Sequence, residues 1–240
     1  METIKKETLV VKYGSSCIDE QNVKSYVKKL GSLIEGYNLV IVSSGSVKIG
    51  RGKSSLDLSE PVLAAIGSAE LVRMWQSEFQ KLGLTSAQVL VTHGDLEEDN
   101  RCLADSISEM LECGVIPIVN ENDLLSNTEI MKLKTGGDND GLAAHIAVKL
   151  GAKKLILLSS DVEGYLSCGK LKKRLNLNEV NLEDHFGGKH FGKGGILSKI
   201  DASRKALIGG VAEVYFAGSN SDYIEVLEKK AGTQFFVKSD

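Results

Sequence analysis

Short runs of consecutive apolar residues, rich in valine and isoleucine, recur at residues 9–11, 39–42, 89–91, 115–119 and 155–158. Runs of this length without polar alternation suit strands buried on both faces. The stretches between them have helical periodicity. The clearest predicts a helix over residues 59–82, with Ser59 as its cap and Pro61 in the first turn. Val62, Ala65, Ile66, Ala69, Val72 and Phe79 mark one face of it before Gly83. A second helix carries Leu142, Ala143, Ile146, Ala147 and Leu150 before Gly151, and a third carries Ile196, Ile200, Ser203 and Leu207 before Gly209 and Gly210. By pattern alone these three stripes are core packing. Strands alternating with helices predict an α/β fold with a largely parallel sheet. No internal repeat or Ser/Pro-rich linker forces a domain cut, so one compact unit with two lobes is expected. The most polar part is residues 166–188, where Lys170, Lys172, Lys173 and Arg174 lie close together. It reads as a hairpin excursion, a basic lid over phosphates or a solvated loop.

Glycine changes the picture, because 25 of 240 residues are glycine and only two are proline. Glycines at strand ends let backbone N–H groups approach phosphate or carboxylate oxygens in the crevice where parallel sheets bind ligands. Four such places occur. The first is Val10-Val11-Lys12-Tyr13-Gly14-Ser15-Ser16, and the second Ile41-Val42-Ser43-Ser44-Gly45-Ser46. The third joins Pro117-Ile118-Val119-Asn120-Glu121-Asn122-Asp123 to the later Gly136-Gly137-Asp138-Asn139-Asp140-Gly141. The fourth is Gly192-Lys193-Gly194-Gly195-Ile196-Leu197-Ser198-Lys199. Singly, each reads as an ordinary turn with a solvated lysine. Together, two lysines, several helix N-termini and an acidic-amide cluster suit phosphoryl transfer, which is mostly positioning plus charge stabilisation.

Charge and cysteines narrow the classes further. The sequence has 29 basic and 32 acidic residues, a net charge of -3 and a pI near 5.9, with no overall cationic field to gather nucleic acid. Cys17, Cys102, Cys113 and Cys168 form no C-x-x-C pair, which fits a reduced, cytoplasmic interior. No signal-like or bilayer-spanning apolar run is expected. Residues 187–193 satisfy the G-x-x-x-x-G-K skeleton, but Gly194 stands where the phosphate loop needs Ser or Thr, so this is a chance near-match. No G-x-G-x-x-G follows a strand and no G-x-S-x-G occurs, which removes the dinucleotide, protein-kinase and α/β-hydrolase fingerprints. His93, His145, His185 and His190 lack metal-ligand spacing, so no protein-held metal site is expected.

The segments at 10–16, 42–45, 87–92, 116–123, 137–140 and 194–199 resemble the amino acid kinase family, and within it the glutamate 5-kinases. Asn-Glu-Asn-Asp at 120–123 followed by Gly-Asp-Asn-Asp at 137–140 is the specific part. The resemblance implies a three-layer αβα sandwich, with an acid-binding lobe at about residues 1–150 and a nucleotide lobe at about 151–240. It implies transfer of the γ-phosphoryl of ATP, with Mg2+, to the side-chain carboxylate of L-glutamate, the opening step of proline biosynthesis. By motif position, Lys12 and Lys199 would flank the transferring group and Asp140 would orient them. Ser44, Gly45, Asp123 and Asn139 would hold the amino acid, with Asp123 on the α-amino group. Gly14, Ser160, Asp161, Lys193, Gly194 and Gly195 would contact the nucleotide. A homo-oligomer and feedback inhibition by proline are implied too. As a departure from the family, the chain is expected to lack the C-terminal RNA-modification-type domain that many bacterial members carry. Gly136, Lys193, Ile196 and Ser68 depart from the family's usual residues near the acid and phosphate sites. Those departures leave open a kinase of another small acid, or a nucleotide- or amino-acid-binding regulator without turnover.

Overall fold

The computed structural model describes residues 6–96, 100–125, 139–180 and 195–238. The first half runs β1 (Glu7–Tyr13), α1 (Glu20–Gly31), β2 (Tyr37–Ser43), α2 (Ser46–Lys53), α3 (Glu60–Lys81), β3 (Ser86–Val91), α4 (Cys102–Glu112) and β4 (Ile116–Glu121). The second half runs α5 (Asn139–Lys149), β5 (Lys154–Ser159), β6 (Leu166–Ser167), β7 (Lys170–Leu171), β8 (Arg174–Asn176), α6 (Ile196–Ile208), β9 (Glu213–Gly218), α7 (Tyr223–Leu227) and β10 (Thr233–Phe236). Eight strands form one sheet in the order β3-β4-β2-β1-β5-β9-β10-β8. From β3 to β9 all pairings are parallel, and only the β9–β10 pair is antiparallel.

The alternation of side chains along each strand builds two separate cores. Val10, Val40, Val42, Leu155 and Leu157 face α5 and α6, which contribute Leu142, Ile146, Ile196 and Ile200. Leu9, Val11, Ile41, Ile156 and Leu158 face the other way, against Val23 and Leu30 of α1 and Trp75 and Phe79 of α3. This is the expected three-layer αβα sandwich. The second core ends in an aromatic cluster: Tyr13 stacks on Tyr26 at 4.7 Å and tilts against Trp75 at 5.0 Å. Trp75 is wholly buried and its indole N–H donates to Ser43 Oγ at 3.0 Å, so burial leaves no orphaned donor. Packing of this kind contributes on the order of 3–5 kcal/mol per large aromatic.

β1 lies between β2, paired from Glu7↔Tyr37 to Tyr13↔Ser43, and β5, paired from Leu9↔Lys154 to Tyr13↔Leu158. The chain therefore leaves β1 in one direction along the sheet and returns on its other side. That switch point opens a crevice at the C-terminal ends of β1, β2 and β5.

Several expectations need correction. Val62 and Ile66 of α3 are 39% and 38% exposed, and Ala65 and Ala69 are exposed with them. Leu63, Ala64, Leu71, Met74 and Trp75 are buried instead, beside Val72 and Phe79. The helix is apolar on more than one stripe over its first turns, and periodicity does not say which stripe meets the sheet. Ser59 occupies the N-cap position, but its hydroxyl makes no capping hydrogen bond. β3 is an edge strand, so Leu90 points outward and is 39% exposed. The basic segment starts as a hairpin, β6–β7, turning through Cys168 and Gly169 at positive φ, and then joins the main sheet as β8. Residues 181–188, its other half, lie outside the described residues, as does the 187–193 near-match.

Candidate active site

Lys12 is the penultimate residue of β1, and alternation places it on the same face as Val10, under α5 and α6. Its ammonium lies 2.5 Å from Asp140 Oδ1. Asp140 is the second residue of α5, where a helix N-terminus favours a carboxylate. Its other oxygen, Oδ2, takes the Lys199 ammonium at 2.9 Å and the Ser198 hydroxyl at 2.6 Å, both from the first turn of α6. Lys12, far upstream in the chain, and Lys199, 59 positions after Asp140, thus meet on one carboxylate. Exposure is 5% for Lys12, 7% for Lys199 and 1% for Asp140. Burial alone pushes the Asp140 carboxyl up, but the charges of Lys12 and Lys199, with the lysine and Ser198 hydrogen bonds, outweigh it and hold the group at about 2. One anion between two cations leaves a net positive centre. Lys199 also lies 5.8 Å from the centroid of the Phe216 ring, which fixes its stem.

This centre lines a cavity of about 290 Å³ together with Gly14, Ser15, Ser16, Asp161 and Gly195. Small residues at three strand or helix ends leave backbone close to the space. A second cavity of about 590 Å³ adjoins it, and Ser15, Ser44 and Asn139 line both. Gly45, Ser46, Lys48, Asn120 and Asp123 belong to the second cavity only. Gly45 caps α2 with φ of 118°, a region that favours glycine, and so turns the N-terminus of α2 into this space. α2 is held there by a close crossing with α3: a Cβ on Gly67 would lie 2.0 Å from the Ser46 carbonyl oxygen. Burial pushes the Asp123 carboxyl up, and the charge of Glu60 adds to that rise, so the site gains from a cation beside it.

Every expected site residue that is described except Ser160 lines one of the two cavities. Ser160 is exposed, and its hydroxyl donates to Asp161 Oδ1 at 2.5 Å and lies 2.8 Å from Ser16 Oγ, which can donate to it in turn. Lys193 and Gly194 lie outside the described residues. Sequence reasoning assigned no role to Asn120, Ser46, Ser198 or Lys48. Asn120 donates to Ser46 Oγ at 2.7 Å and accepts from Asn139 Nδ2 at 3.0 Å, tying β4, α2 and α5 together at the second cavity. Its signal was an asparagine closing the apolar run of β4, because a buried amide must find partners. Ser198 is adjacent to Lys199 and had no separate signal.

A match to known proteins decides the lineage. The sequence model of the amino acid kinase family covers residues 7–218. The chain belongs to the amino acid kinase family. Among curated relatives, the glutamate 5-kinase of Cereibacter sphaeroides is 36% identical over 95% of this chain and 67% of its own length. The glutamate 5-kinase of Photobacterium profundum is 32% identical over 96% of this chain and 67% of its own. The chain therefore spans about two thirds of the length of these relatives. Among solved structures, carbamate kinase from Giardia lamblia bound to AMP-PNP matches 97% of this chain and 99% of its own with TM-score 0.71 at 15% identity. N-acetylglutamate synthase from Neisseria gonorrhoeae, complexed with coenzyme A and L-arginine, matches 97% of this chain and 62% of its own with TM-score 0.70 at 17% identity. These two likenesses carry the family fold and nothing finer.

Among the described residues no group of three or more His, Cys, Asp or Glu side chains could hold a metal ion. The carboxylates lining the first cavity are Asp140, engaged by the lysines, and Asp161, the one a cation could approach. No described helix is long and apolar enough to cross a membrane.

Proposed function

We propose that this chain transfers the γ-phosphoryl group of ATP to the side-chain carboxylate of L-glutamate, giving the acyl phosphate that opens proline biosynthesis. The observation that carries the reading is the buried Lys12–Asp140–Lys199 centre, which lines one of two adjoining cavities. Similarity to glutamate 5-kinases over 95% of the chain supports the same acceptor.

Each residue then has a chemical task. Ser15, Ser16, Gly14 and Gly195 border the phosphates, and Ser160 with Asp161 forms the outer rim towards the nucleotide, in a lobe of residues 151–240. Ser44, Gly45 and Asn139 hold the acid, and Asp123 takes its ammonium, in a lobe of residues 1–150. Asp140 holds both lysines at fixed positions, so they need no reorganisation when charge develops on the migrating group. Lys12 and Lys199 offset that charge during in-line attack by a carboxylate oxygen. No general base is needed, because the attacking carboxylate is ionised at neutral pH. Mg2+ bound to the phosphates would supply further charge neutralisation. The cluster of exposed apolar residues on α3 and β3, Val62, Ile66 and Leu90, suits burial against a second copy of the chain. Proline inhibition at the acid cavity is carried by the resemblance.

The test is ADP release from ATP and Mg2+ with each of a panel of small acids, L-glutamate first, with hydroxylamine present to trap an acyl phosphate as its hydroxamate. Glutamate-dependent ADP release with hydroxamate formation is expected. ADP release with another acid alone would move the acceptor, and ATP binding without turnover on any acid would leave only a regulator.

A further inference from the structure

The two cavities carry separate sets of cations. Lys12 and Lys199 line the phosphate-side cavity and not the acid cavity, whereas Lys48 and Arg51 line the acid cavity and not the other. The acid cavity also carries charge of both signs. Lys48 and Arg51 line it from α2, and Asp123 lines it from the segment after β4, with Glu121 at the end of β4. Charges of both signs fit a zwitterionic α-amino acid: Asp123 suits the ammonium, and the α2 wall suits the α-carboxylate. The reacting side-chain carboxylate is left to the separate lysines of the other cavity.

The two cations of that wall are not equivalent. Arg51 leans towards Glu60, with Nη2 3.8 Å from Oε1, and its charge is partly answered there. The Lys48 ammonium donates to two backbone carbonyls, Ile18 O at 3.1 Å and Ser15 O at 3.4 Å. Among the described residues no carboxylate lies within ion-pair distance of it. Carbonyl oxygens accept hydrogen bonds without cancelling charge, and an ammonium has three N–H donors, so one donor and the full charge remain for an anion. The two carbonyls hold the otherwise flexible side chain against the turn at Ser15–Cys17, and Ser15 lines both cavities.

We infer that Lys48 is a specificity-determining residue of the acid cavity, reading the α-carboxylate of an α-amino dicarboxylic acceptor whose ammonium is held by Asp123. The inference rests on the proposed reading of this cavity as the acceptor site. A carboxylate–ammonium hydrogen bond in a partly enclosed site accounts for about a ten- to hundredfold difference in affinity. Lys48 is exposed, so replacing it removes no core packing and the variant should fold.

The experiment compares L-glutamate with 4-aminobutyrate, which is the same molecule without its α-carboxylate. Wild type, K48M and K48R are titrated calorimetrically with each acid in the presence of a non-hydrolysable ATP analogue, and the KM for ATP is measured alongside. K48M is expected to weaken L-glutamate binding at least tenfold, to change 4-aminobutyrate binding less than twofold, and to leave the KM for ATP within twofold. K48R is expected to retain most of the preference. Equal weakening of both acids, or a matching rise in the KM for ATP, would make Lys48 a mere latch on the Ser15–Cys17 turn and overturn the inference. Unchanged binding in K48M would overturn it as well. Failure of the acceptor assignment is read separately, in wild type: if another α-amino acid binds instead, that acid and its decarboxylated form replace the pair, and the same ratio decides Lys48.

Discussion

The two adjoining cavities differ in how much of their charge is locked. On the phosphate side, Lys12 and Lys199 are almost wholly buried and share one carboxylate that is buried with them. On the acid side of the proposed reading, Lys48 is exposed and, among the described residues, tethered by two carbonyls, the Arg51 side chain is 66% exposed, and Asp123 is half-buried. A buried ion triad costs desolvation that only good geometry offsets, so its presence points to a demand for fixed charge rather than for stability. Under the proposed reading, phosphoryl transfer uses that fixed centre, and recognition of the acceptor uses a wall whose side chains can differ at little cost to the fold.

Asp140→Asn is the sharpest way to break this contrast, because it leaves two ammoniums facing each other without their anion. A fall in kcat of about 10³-fold or more is expected, with a loss of about 3–5 kcal/mol in denaturant unfolding. The same carboxylate gives a pH signature. Its folded value of about 2 lies below the ordinary 3.8 because Lys12 and Lys199 outweigh the cost of its burial. A depressed carboxyl contributes stability that is fully present above its unfolded value and is lost as pH falls through the folded one. Wild type should therefore lose about 2 kcal/mol more than Asp140→Asn between about pH 5 and pH 2. Urea unfolding of both proteins across that window checks it, and parallel curves would mean that the triad is not formed in solution.

Asp123→Asn probes the adjustable side. An amide cannot answer the acceptor's ammonium with charge, so the KM for the acid should rise about tenfold or more, with kcat changed little. A kcat loss like that of Asp140→Asn would erase the distinction between the two cavities. Ser198→Ala should have the smallest effect. It removes one hydroxyl from Asp140 Oδ2 while both lysines stay, so kcat should fall about three- to tenfold with both KM values unchanged. Ser198→Thr should restore most of that loss.

The sequence made the centre of the fold easier to read than its margins. Strands β1, β2, β4 and β5 are covered on both faces, so their apolar runs are uninterrupted and visible. α1 and α2 are mostly polar in composition, and β9 mixes Glu213, Tyr215 and Gly218 into a short segment, so none of them stood out before its partners were placed. Which stripe of α3 faces the core depends on its crossing with α2 at Gly67, a tertiary fact that periodicity does not contain. The paired lysines of the buried centre were legible because charge at the end of a buried strand or in a helix's first turn is conspicuous. Asn120 and Ser198 were not assigned, because their work is done through Asn139 and Asp140 and appears only as geometry.

The central claim is that Lys12 and Lys199 act on one migrating phosphoryl group held between them. A double-mutant cycle on kcat, with Lys12→Met, Lys199→Met and the double variant, measures it most directly. Each single change is expected to lower kcat about 10²- to 10³-fold, and the double change to cost clearly less than the product of the two. Near wild-type turnover in either single variant, or losses that simply multiply, would contradict a shared centre.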